Sequence, residues 1–238
     1  MTTADPQVPI FEALPAFEED VAARFEPGPV ARAVLDERSA PGEQCRLLAT
    51  RLVALGRDKR LRRIGVVASS PGEGTTTVAL GLARALSRDR HRRVLLLELG
   101  LRHPALDGEL GLDPPAVGLR QYLAGKSDVP VLRRSWPAGF WVLSAGGGPA
   151  PHEPVPSPAR LATLFRGTDR VFDYVVADCP PLLDRGDRFA SPGHLDGFVL
   201  VVRSRRAPRE SVQQAAALLE PGLIVGLVLN AQHDILRR

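Results

Sequence analysis

The distribution of apolar residues along the chain predicts alternating strands and helices. Short apolar runs, each long enough for one buried strand, alternate with segments whose apolar residues recur at helical spacing. Strands that are apolar on both faces and alternate with helices are typical of a parallel sheet covered on both sides. The pattern therefore predicts an α/β fold with a mostly parallel β-sheet flanked by helices on both faces. In chain order, the predicted segments are residues 64–69, 76–87, 94–97, 118–124, 140–144, 158–165, 172–177, 197–203, 209–219 and 223–230.

The first 40 residues differ from this pattern. They contain several prolines interspersed with acidic residues, a composition that favours an extended chain. From Glu43 the apolar residues recur at helical spacing, and Gly56 is a candidate helix stop. We therefore expect a flexible N-terminal tail over residues 1–40 and one domain over residues 41–238. The prolines of the tail are Pro6, Pro9, Pro15, Pro27 and Pro29.

Composition limits the classes of function. A chain of 238 residues with 44% apolar content buries one substantial core, which leaves no room for a second full domain. The net charge is +4, but the one dense basic run, residues 57–63 (RDKRLRR), includes an acid and is explained by a solvated helix-to-strand connection. A nucleic-acid partner is therefore disfavoured.

The expected compartment is the cytoplasm. Cys45 and Cys179 lie far apart and have no metal-ligand spacing, which is typical of reduced thiols. The chain has no signal-peptide pattern and no apolar run approaching the roughly 20 residues that span a bilayer. Any link to a membrane is expected to come through a partner.

Residues 64–82 (IGVVASSPGEGTTTVALGL) combine an apolar strand, a glycine-containing turn and an amphipathic helix. Gly72 and Gly74 allow backbone N–H groups to turn inward around a phosphate, and the N-terminus of the helix adds a favourable dipole. This context predicts a phosphate-binding loop. The predicted phosphate-loop residues are Pro71, Gly72, Glu73, Gly74, Thr75, Thr76 and Thr77.

The end of this loop departs from the usual P-loop. That pattern ends in Gly-Lys-Ser/Thr, with the lysine on the β- and γ-phosphates and the hydroxyl on Mg²⁺. Here Thr76 retains the hydroxyl on the Mg²⁺ side, but Thr75 offers no charge. Two unit charges about 4 Å apart interact with roughly 4 kcal/mol at an effective dielectric near 20, so we expect weakened turnover unless an arginine substitutes.

Two further strands end in acidic residues. Asp178 ends a buried strand and is predicted to hold Mg²⁺ beside the phosphate loop, the alternative being a strand-terminal turn residue. Glu98 is a candidate base or metal-side carboxylate, or equally a solvated strand end. Arg102 is a candidate contact to phosphate or to a neighbouring subunit, or a surface residue.

Taken together, several segments resemble the bacterial tyrosine kinases of capsule and exopolysaccharide synthesis, of the CpsD/CapB type. The resemblance extends, in order, over about residues 40 to 230. It implies a P-loop NTPase-like fold similar to that of the ParA/MinD ATPases and phosphorylation of protein tyrosines with ATP and Mg²⁺. It also implies that the chain acts together with a membrane-embedded chain-length regulator, or co-polymerase, of polysaccharide export. The segments are SSPGEGTTT, VLLLELGLRHP, FDYVVADCPPLLD, GFVLVVRS and VGLVLN.

The resemblance also assigns roles to single residues and exposes departures. The phosphate-loop lysine of the family falls on Thr75. Its second acidic motif, Asp-x-Asp-x-Arg, falls on Glu98, Gly100 and Arg102. A longer glutamate thus replaces the first aspartate, and the second carboxylate is missing. The aspartate of the third motif is intact at Asp178.

Two further features of the family lie outside these motifs, a contact with adenine and an oligomerisation helix. Asn230 occupies the position at which relatives offer a side-chain amide to adenine. The Glu-x-x-Arg-x-x-Arg pattern of the family's oligomerisation helix falls on Glu43, Arg46 and Ala49, so one charge partner of a homo-oligomer is lost.

Three functional hypotheses remain open. The first is a catalytically weakened pseudokinase or nucleotide-binding regulator, because family kinases end in a tyrosine-rich tail whereas the only tyrosines here are Tyr122 and Tyr174. The second is an active ATP-dependent tyrosine kinase in which an arginine such as Arg102 replaces the lysine. The third is a ParA/MinD-type positioning ATPase, although Ser69 and Ser70 occupy the region where those proteins carry an additional lysine.

Overall fold

The centre of the protein is a seven-stranded β-sheet. The computed structural model describes residues 26–89, 91–128, 130–135, 139–148, 157–184 and 192–231. Within these residues the strand order across the sheet is β3-β4-β2-β5-β1-β6-β7. The strands are β1 (Arg63–Ala68), β2 (Val94–Glu98), β3 (Arg133–Ser135), β4 (Phe140–Leu143), β5 (Tyr174–Asp178), β6 (Gly197–Arg203) and β7 (Ile224–Asn230).

Helices connect most of the strands. Six strands run parallel, and only β3, at one edge, pairs antiparallel with β4. Parallel neighbours require crossover connections, which the helices supply. The predicted mostly parallel α/β fold is confirmed. The helices are α1 (Pro29–Leu35), α2 (Ala40–Lys59), α3 (Thr75–Leu86), α4 (Leu106–Leu110), α5 (Leu119–Leu123), α6 (Pro158–Val171) and α7 (Arg209–Ala217).

The sheet separates two apolar cores. Because side chains alternate across a strand, Val66 of β1 joins the core that contains α2 and α3, whereas the adjacent Val67 joins the core that contains α5 and α6. Both faces of the sheet are thus covered by helices. The carboxyl ends of β1, β2, β5, β6 and β7 lie at one edge, where ligands bind in sheets of this kind.

The packed part of the chain begins earlier than the predicted boundary at residue 41. Pro29 stands at the start of α1, where its missing N–H leaves no helical hydrogen bond unmade, and Ala31 is fully buried in the core beside α3. The extended conformation expected for residues 1–40 therefore does not hold for residues 29–35. Residues 1–25 of the predicted tail lie outside the described residues.

Helix α2 extends beyond its predicted bounds at both ends. The Ser39 hydroxyl caps its N-terminus by accepting from the Gly42 N–H at 2.9 Å, and the helix continues past Gly56 to Lys59. The basic run at residues 57–63 comprises the last turn of this helix, the connection at residues 60–62 and the first residue of β1. Arg62 donates from Nη2 to the Phe172 carbonyl at 2.8 Å, so part of this basic run binds the protein itself. No helix in the described ranges is long and apolar enough to cross a membrane.

Candidate functional site

The phosphate loop connects β1 to α3 and is shaped by two glycines. Gly72 has φ +77° and Gly74 has φ +98°, in the region that favours glycine over residues with a side chain. A Cβ on Gly74 would lie 2.0 Å from Nδ2 of Asn230, so a side chain there would displace the Asn230 amide in addition to straining the backbone. The predicted glycine turn between a strand and a helix is thus present.

Glu73 belongs to the interior of this loop. Its buried carboxylate accepts from the Ser69 hydroxyl, from the Ser70 N–H at 2.9 Å and from the Arg203 N–H at 3.2 Å. The predicted contact of Glu73 with a cofactor can therefore come only from its backbone, since its side chain stabilises the loop. Pro71 lies exposed at the turn, and Thr77 lies half-buried in the first turn of α3.

Thr76, at the C-terminal end of the phosphate loop, contacts the last residue of β5. Thr76 donates from Oγ1 to Oδ2 of Asp178 at 2.7 Å, because β1 and β5 are neighbours and end at the same edge. Asp178 is only 5% exposed. Burial, with the nearby charge of Glu98, raises the pKa of Asp178 to about 7, against the opposing hydrogen bonds from the Thr76 and Thr75 hydroxyls. Thr75, in the lysine position, thus interacts with the same carboxylate.

Glu98 lies beside Asp178 but has its own hydrogen-bond partners. The two residues are Cα partners in the β2/β5 register. The Glu98 carboxylate accepts from the N–H groups of Ala105 at 2.7 Å, Leu106 at 2.9 Å and Ala145 at 2.8 Å. Burial raises the pKa of Glu98, and these three hydrogen bonds oppose the rise. The carboxylate therefore anchors the start of α4 and the segment after β4, and its catalytic role remains a prediction.

The loop after β2 contains the remaining predicted contacts of the second acidic motif. Arg102 is exposed there, and its contact with phosphate remains a prediction. A Cβ at Gly100 would meet no atom within 4 Å, so the missing carboxylate of the motif is not excluded by lack of space.

Two residues at the ends of neighbouring strands contact the phosphate loop directly. Arg203, the last residue of β6, donates from Nη1 to the Gly72 carbonyl at 2.8 Å. Asn230, the last residue of β7, donates from Nδ2 to the Glu73 carbonyl at 2.8 Å. Arg203 is not among the site residues predicted from the sequence. The signal available was its position at the end of a buried strand, where the side chain reaches the ligand edge of the sheet.

The polar groups of the site fit a magnesium nucleotide. Mg²⁺ prefers oxygen ligands and is commonly bound by one or two protein groups together with phosphate oxygens and water. The Thr76 hydroxyl and the Asp178 carboxylate supply two such oxygens at the foot of the loop. In the described ranges no group of three or more His, Cys, Asp or Glu residues is positioned to hold a metal ion. A cation at Asp178 would therefore depend on the oxygens of a ligand or of water.

Of the predicted oligomerisation positions on α2, Glu43 is exposed and Arg46 half-buried, whereas Ala49 is buried in the core. Arg46 donates from Nη2 to Oε1 of Glu43 at 3.1 Å within the same helix. Association through this helix remains a prediction.

Comparison with known sequences supports a relationship to bacterial tyrosine kinases. The chain is 27% identical over 209 residues to the tyrosine-protein kinase YwqD of Bacillus subtilis, covering 84% of this chain and 85% of the relative. It is 24% identical over 190 residues to the tyrosine-protein kinase CpsD of Streptococcus agalactiae, covering 79% and 82%. No protein-family profile matches the chain. The predicted resemblance to the CpsD/CapB type is confirmed by these relatives.

Solved structures with a similar fold include both kinase and ATPase domains. The kinase domain of the Escherichia coli tyrosine kinase ETK aligns with a TM-score of 0.74 at 23% identity, covering 89% of this chain and 84% of that domain. MinD of Pyrococcus horikoshii, solved with Mg-ADP, aligns with a TM-score of 0.58 at 22% identity, covering 71% and 69%. The predicted P-loop NTPase-like fold is confirmed.

Proposed function

We propose that this chain is a cytoplasmic, tyrosine-kinase-like P-loop protein of exopolysaccharide or capsule biosynthesis that binds ATP or ADP with Mg²⁺ but transfers phosphate weakly. In this proposal it regulates a membrane-embedded chain-length co-polymerase through its nucleotide state. The observation that carries the proposal is the 2.7 Å contact between Thr76 and Asp178 below the glycine loop, with an uncharged Thr75 in the lysine position.

Nucleotide binding follows from the groups that the loop retains. The N–H groups of the glycine turn and of the first turn of α3 donate to phosphate oxygens. Thr76 and Asp178 would hold Mg²⁺, which neutralises phosphate charge when bound. The similarly folded MinD of Pyrococcus horikoshii was solved in complex with Mg-ADP, which is consistent with this assignment.

Weak transfer follows from the groups that are missing. Phosphoryl transfer depends on positive charge around the transferred group, and Thr75 contributes none. Gly100 removes a carboxylate of the second acidic motif. Of the two tyrosines, Tyr122 is buried and donates to the Arg160 carbonyl at 3.2 Å, so it is a poor substrate for a neighbouring copy.

The test is equilibrium binding of a fluorescent ATP analogue to the full chain in Mg²⁺, with Thr76→Ala as the variant and Thr163→Ala as the matched control. Thr163 lies on α6, where its hydroxyl donates to the Ala159 carbonyl. We expect Thr76→Ala to reduce the affinity about 10-fold or more in Mg²⁺, since a metal ligand and a hydrogen bond to Asp178 are both lost. Equal affinities for the wild type and both variants would contradict the proposed site.

A second candidate, an active tyrosine kinase, is favoured by one observation. The guanidinium of Arg203 contacts the loop at the Gly72 carbonyl, so a permanent positive charge lies against the predicted phosphate loop. The discriminating assay is transfer of labelled γ-phosphate to tyrosine, with and without the membrane partner. Sustained transfer that Asp178→Ala abolishes would establish the kinase and refute the weakened regulator.

A further inference from the structure

We propose that Arg203 and Asn230 are positioning residues that orient the Glu73 and Gly74 N–H groups toward a bound phosphate. This inference rests on the proposed nucleotide binding and adds the residues that shape the binding loop. The two side chains hold consecutive carbonyl groups of the loop, Gly72 by Arg203 and Glu73 by Asn230, each at 2.8 Å. We refer to this pair of contacts as the carbonyl clamp.

The planarity of the peptide bond links the clamp to the N–H groups. In a trans peptide the C=O of one residue and the N–H of the next point in opposite directions. Holding the Gly72 carbonyl toward Arg203 therefore turns the Glu73 N–H away from Arg203. Holding the Glu73 carbonyl toward Asn230 turns the Gly74 N–H away from Asn230. The clamp thus fixes the orientation of two successive donors, the arrangement that forms an anion-binding concavity.

These two donors remain available for a ligand. Among the described residues, neither the Glu73 N–H nor the Gly74 N–H donates to a protein group. The neighbouring Ser70 N–H, by contrast, is bound by the Glu73 carboxylate at 2.9 Å. The Ser70 N–H is thus satisfied within the loop, whereas the two N–H groups that the clamp orients are left for a ligand.

The clamp is held by the sheet. Arg203 and Asn230 are Cα partners in the register of β6 and β7. The Arg203 N–H also donates to the Glu73 carboxylate at 3.2 Å, so Arg203 contacts the loop through both its backbone and its side chain. The Asn230 Oδ1 accepts from the Ala231 N–H at 2.8 Å, which sets the orientation of the amide and directs Nδ2 to the loop.

The clamp matters more here than in a loop that carries lysine. With Thr75 uncharged, phosphate affinity depends on the orientation of backbone donors, and a misaligned N–H loses most of its hydrogen bond. The charge-assisted bond from Arg203 is of the stronger class. Arg203 therefore acts on the phosphate through the Glu73 N–H.

The test uses the full chain and two ligands, ATP and tripolyphosphate, titrated calorimetrically in Mg²⁺. The variants are Arg203→Gln and Asn230→Ala, with Arg206→Gln as the matched control on the exposed turn after β6. We expect Arg203→Gln and Asn230→Ala to weaken both ligands by a similar factor, about 10- to 100-fold. Arg203→Lys, which retains a charged donor, is expected to recover part of the loss, and Arg206→Gln to bind as the wild type does.

A spectroscopic measurement separates positioning from a general loss of structure. In ¹⁵N-labelled protein, tripolyphosphate is expected to shift the amide resonances of Glu73 and Gly74 in the wild type and to leave them nearly unshifted in Arg203→Gln. The melting temperatures of the ligand-free proteins serve as the check on folding. If Arg203→Gln binds tripolyphosphate as the wild type does, the clamp is refuted while the proposed nucleotide site stands.

The remaining outcomes are equally decisive. If Asn230→Ala weakens ATP but not tripolyphosphate, Asn230 contacts the adenine and the clamp is refuted at that residue. If the wild type binds ATP but not tripolyphosphate, the loop does not hold the phosphates and the clamp is refuted. If the wild type binds neither ligand, the proposed function fails and the clamp fails with it.

Discussion

Restoring the missing lysine by Thr75→Lys is expected to strengthen ATP binding. Thr75 begins α3 directly after Gly74, is half-buried, and interacts with Asp178 through its hydroxyl. An ammonium group at this position would approach both the phosphates and the Asp178 carboxylate. It would also lower the pKa of Asp178 from about 7, because a nearby positive charge favours the ionised acid.

The magnitude follows from Coulomb's law. Two unit charges about 4 Å apart interact with roughly 4 kcal/mol at an effective dielectric near 20, and part of this is lost in removing the ammonium group from water. A net gain of about 1.4 to 4 kcal/mol corresponds to about 10- to 1,000-fold tighter binding of ATP. The effect should be larger for ATP than for ADP, since the P-loop lysine contacts the β- and γ-phosphates.

The assay is calorimetric titration of Thr75→Lys and Thr75→Met with ATP and ADP in Mg²⁺. Methionine has a similar length without charge, so the comparison isolates the electrostatic contribution. Labelled γ-phosphate transfer to tyrosine is measured on the same samples and is expected to rise only in Thr75→Lys. Equal ATP affinities for the two variants would refute the assignment of Thr75 to the lysine position.

Four further predictions concern the same edge of the sheet. Gly74→Ala is expected to lower the free energy of unfolding, measured with urea, by about 1–3 kcal/mol, because the backbone is left-handed there and the added methyl group contacts Asn230. The control Gly108→Ala, at a position where a Cβ meets no other atom, should not lower it. Because burial raises the pKa of Asp178 to about 7 and Mg²⁺ needs the ionised carboxylate, Mg-ATP affinity should fall about tenfold per pH unit below 7; a flat profile between pH 5.5 and 8.5 would contradict this. Because of the same raised pKa, Asp178 binds more protons in the folded chain than in the unfolded chain between about pH 4 and 7. Asp178 therefore lowers the free energy of unfolding of the ligand-free protein as pH rises through that window, and Asp178→Asn should remove this contribution to the pH dependence of stability. Glu98→Gln is expected to cost about 2–4 kcal/mol of unfolding free energy, because an amide cannot accept all three backbone N–H groups, and an unchanged urea midpoint would show that the carboxylate is not the anchor.

The buried strands could be predicted closely from the sequence. The apolar run at residues 197–203 coincides with β6, whose first five residues are buried, because a strand that is apolar on both faces is marked by the hydrophobic pattern alone. The run at 223–230 differs by one residue from β7, an edge strand whose Leu227 and Leu229 are exposed. The short antiparallel strand β3 (RRS) and the helix α4 (LDGEL) were not predicted, because the first has no apolar residue and the second has only two, with a glycine between them.

Only part of the site could be predicted. Gly72, Gly74 and Thr76 were singled out because their local spacing between a strand and a helix is typical of a phosphate loop, and their contact with a phosphate stays a prediction. Asp178 was identified from the end of a strand, but its contact with Thr76 depends on β1 and β5 being neighbours, which the strand order decides.

The contacts that join distant segments lay beyond the sequence pattern. Arg203 and Gly72 are 131 residues apart in the chain, and only the placement of β6 beside β1 brings them together. The three hydrogen bonds of Glu98 come from two separate loops, so nothing local distinguishes it from a solvated strand end. Similarly, α1 was missed because proline at the first position of a helix resembles proline in an extended tail.

The central claim is a nucleotide site that binds without efficient turnover, and one calorimetric titration of the wild-type chain with ATP in Mg²⁺ tests it most directly. We predict saturable binding heats with the power signal returning to its baseline after every injection, because ATP binds and is not consumed. A baseline that stays displaced while ATP is present, and that Asp178→Ala restores, would reveal sustained turnover and contradict the claim. The absence of any binding heat up to millimolar ATP would also contradict the claim, because it would show that ATP does not bind.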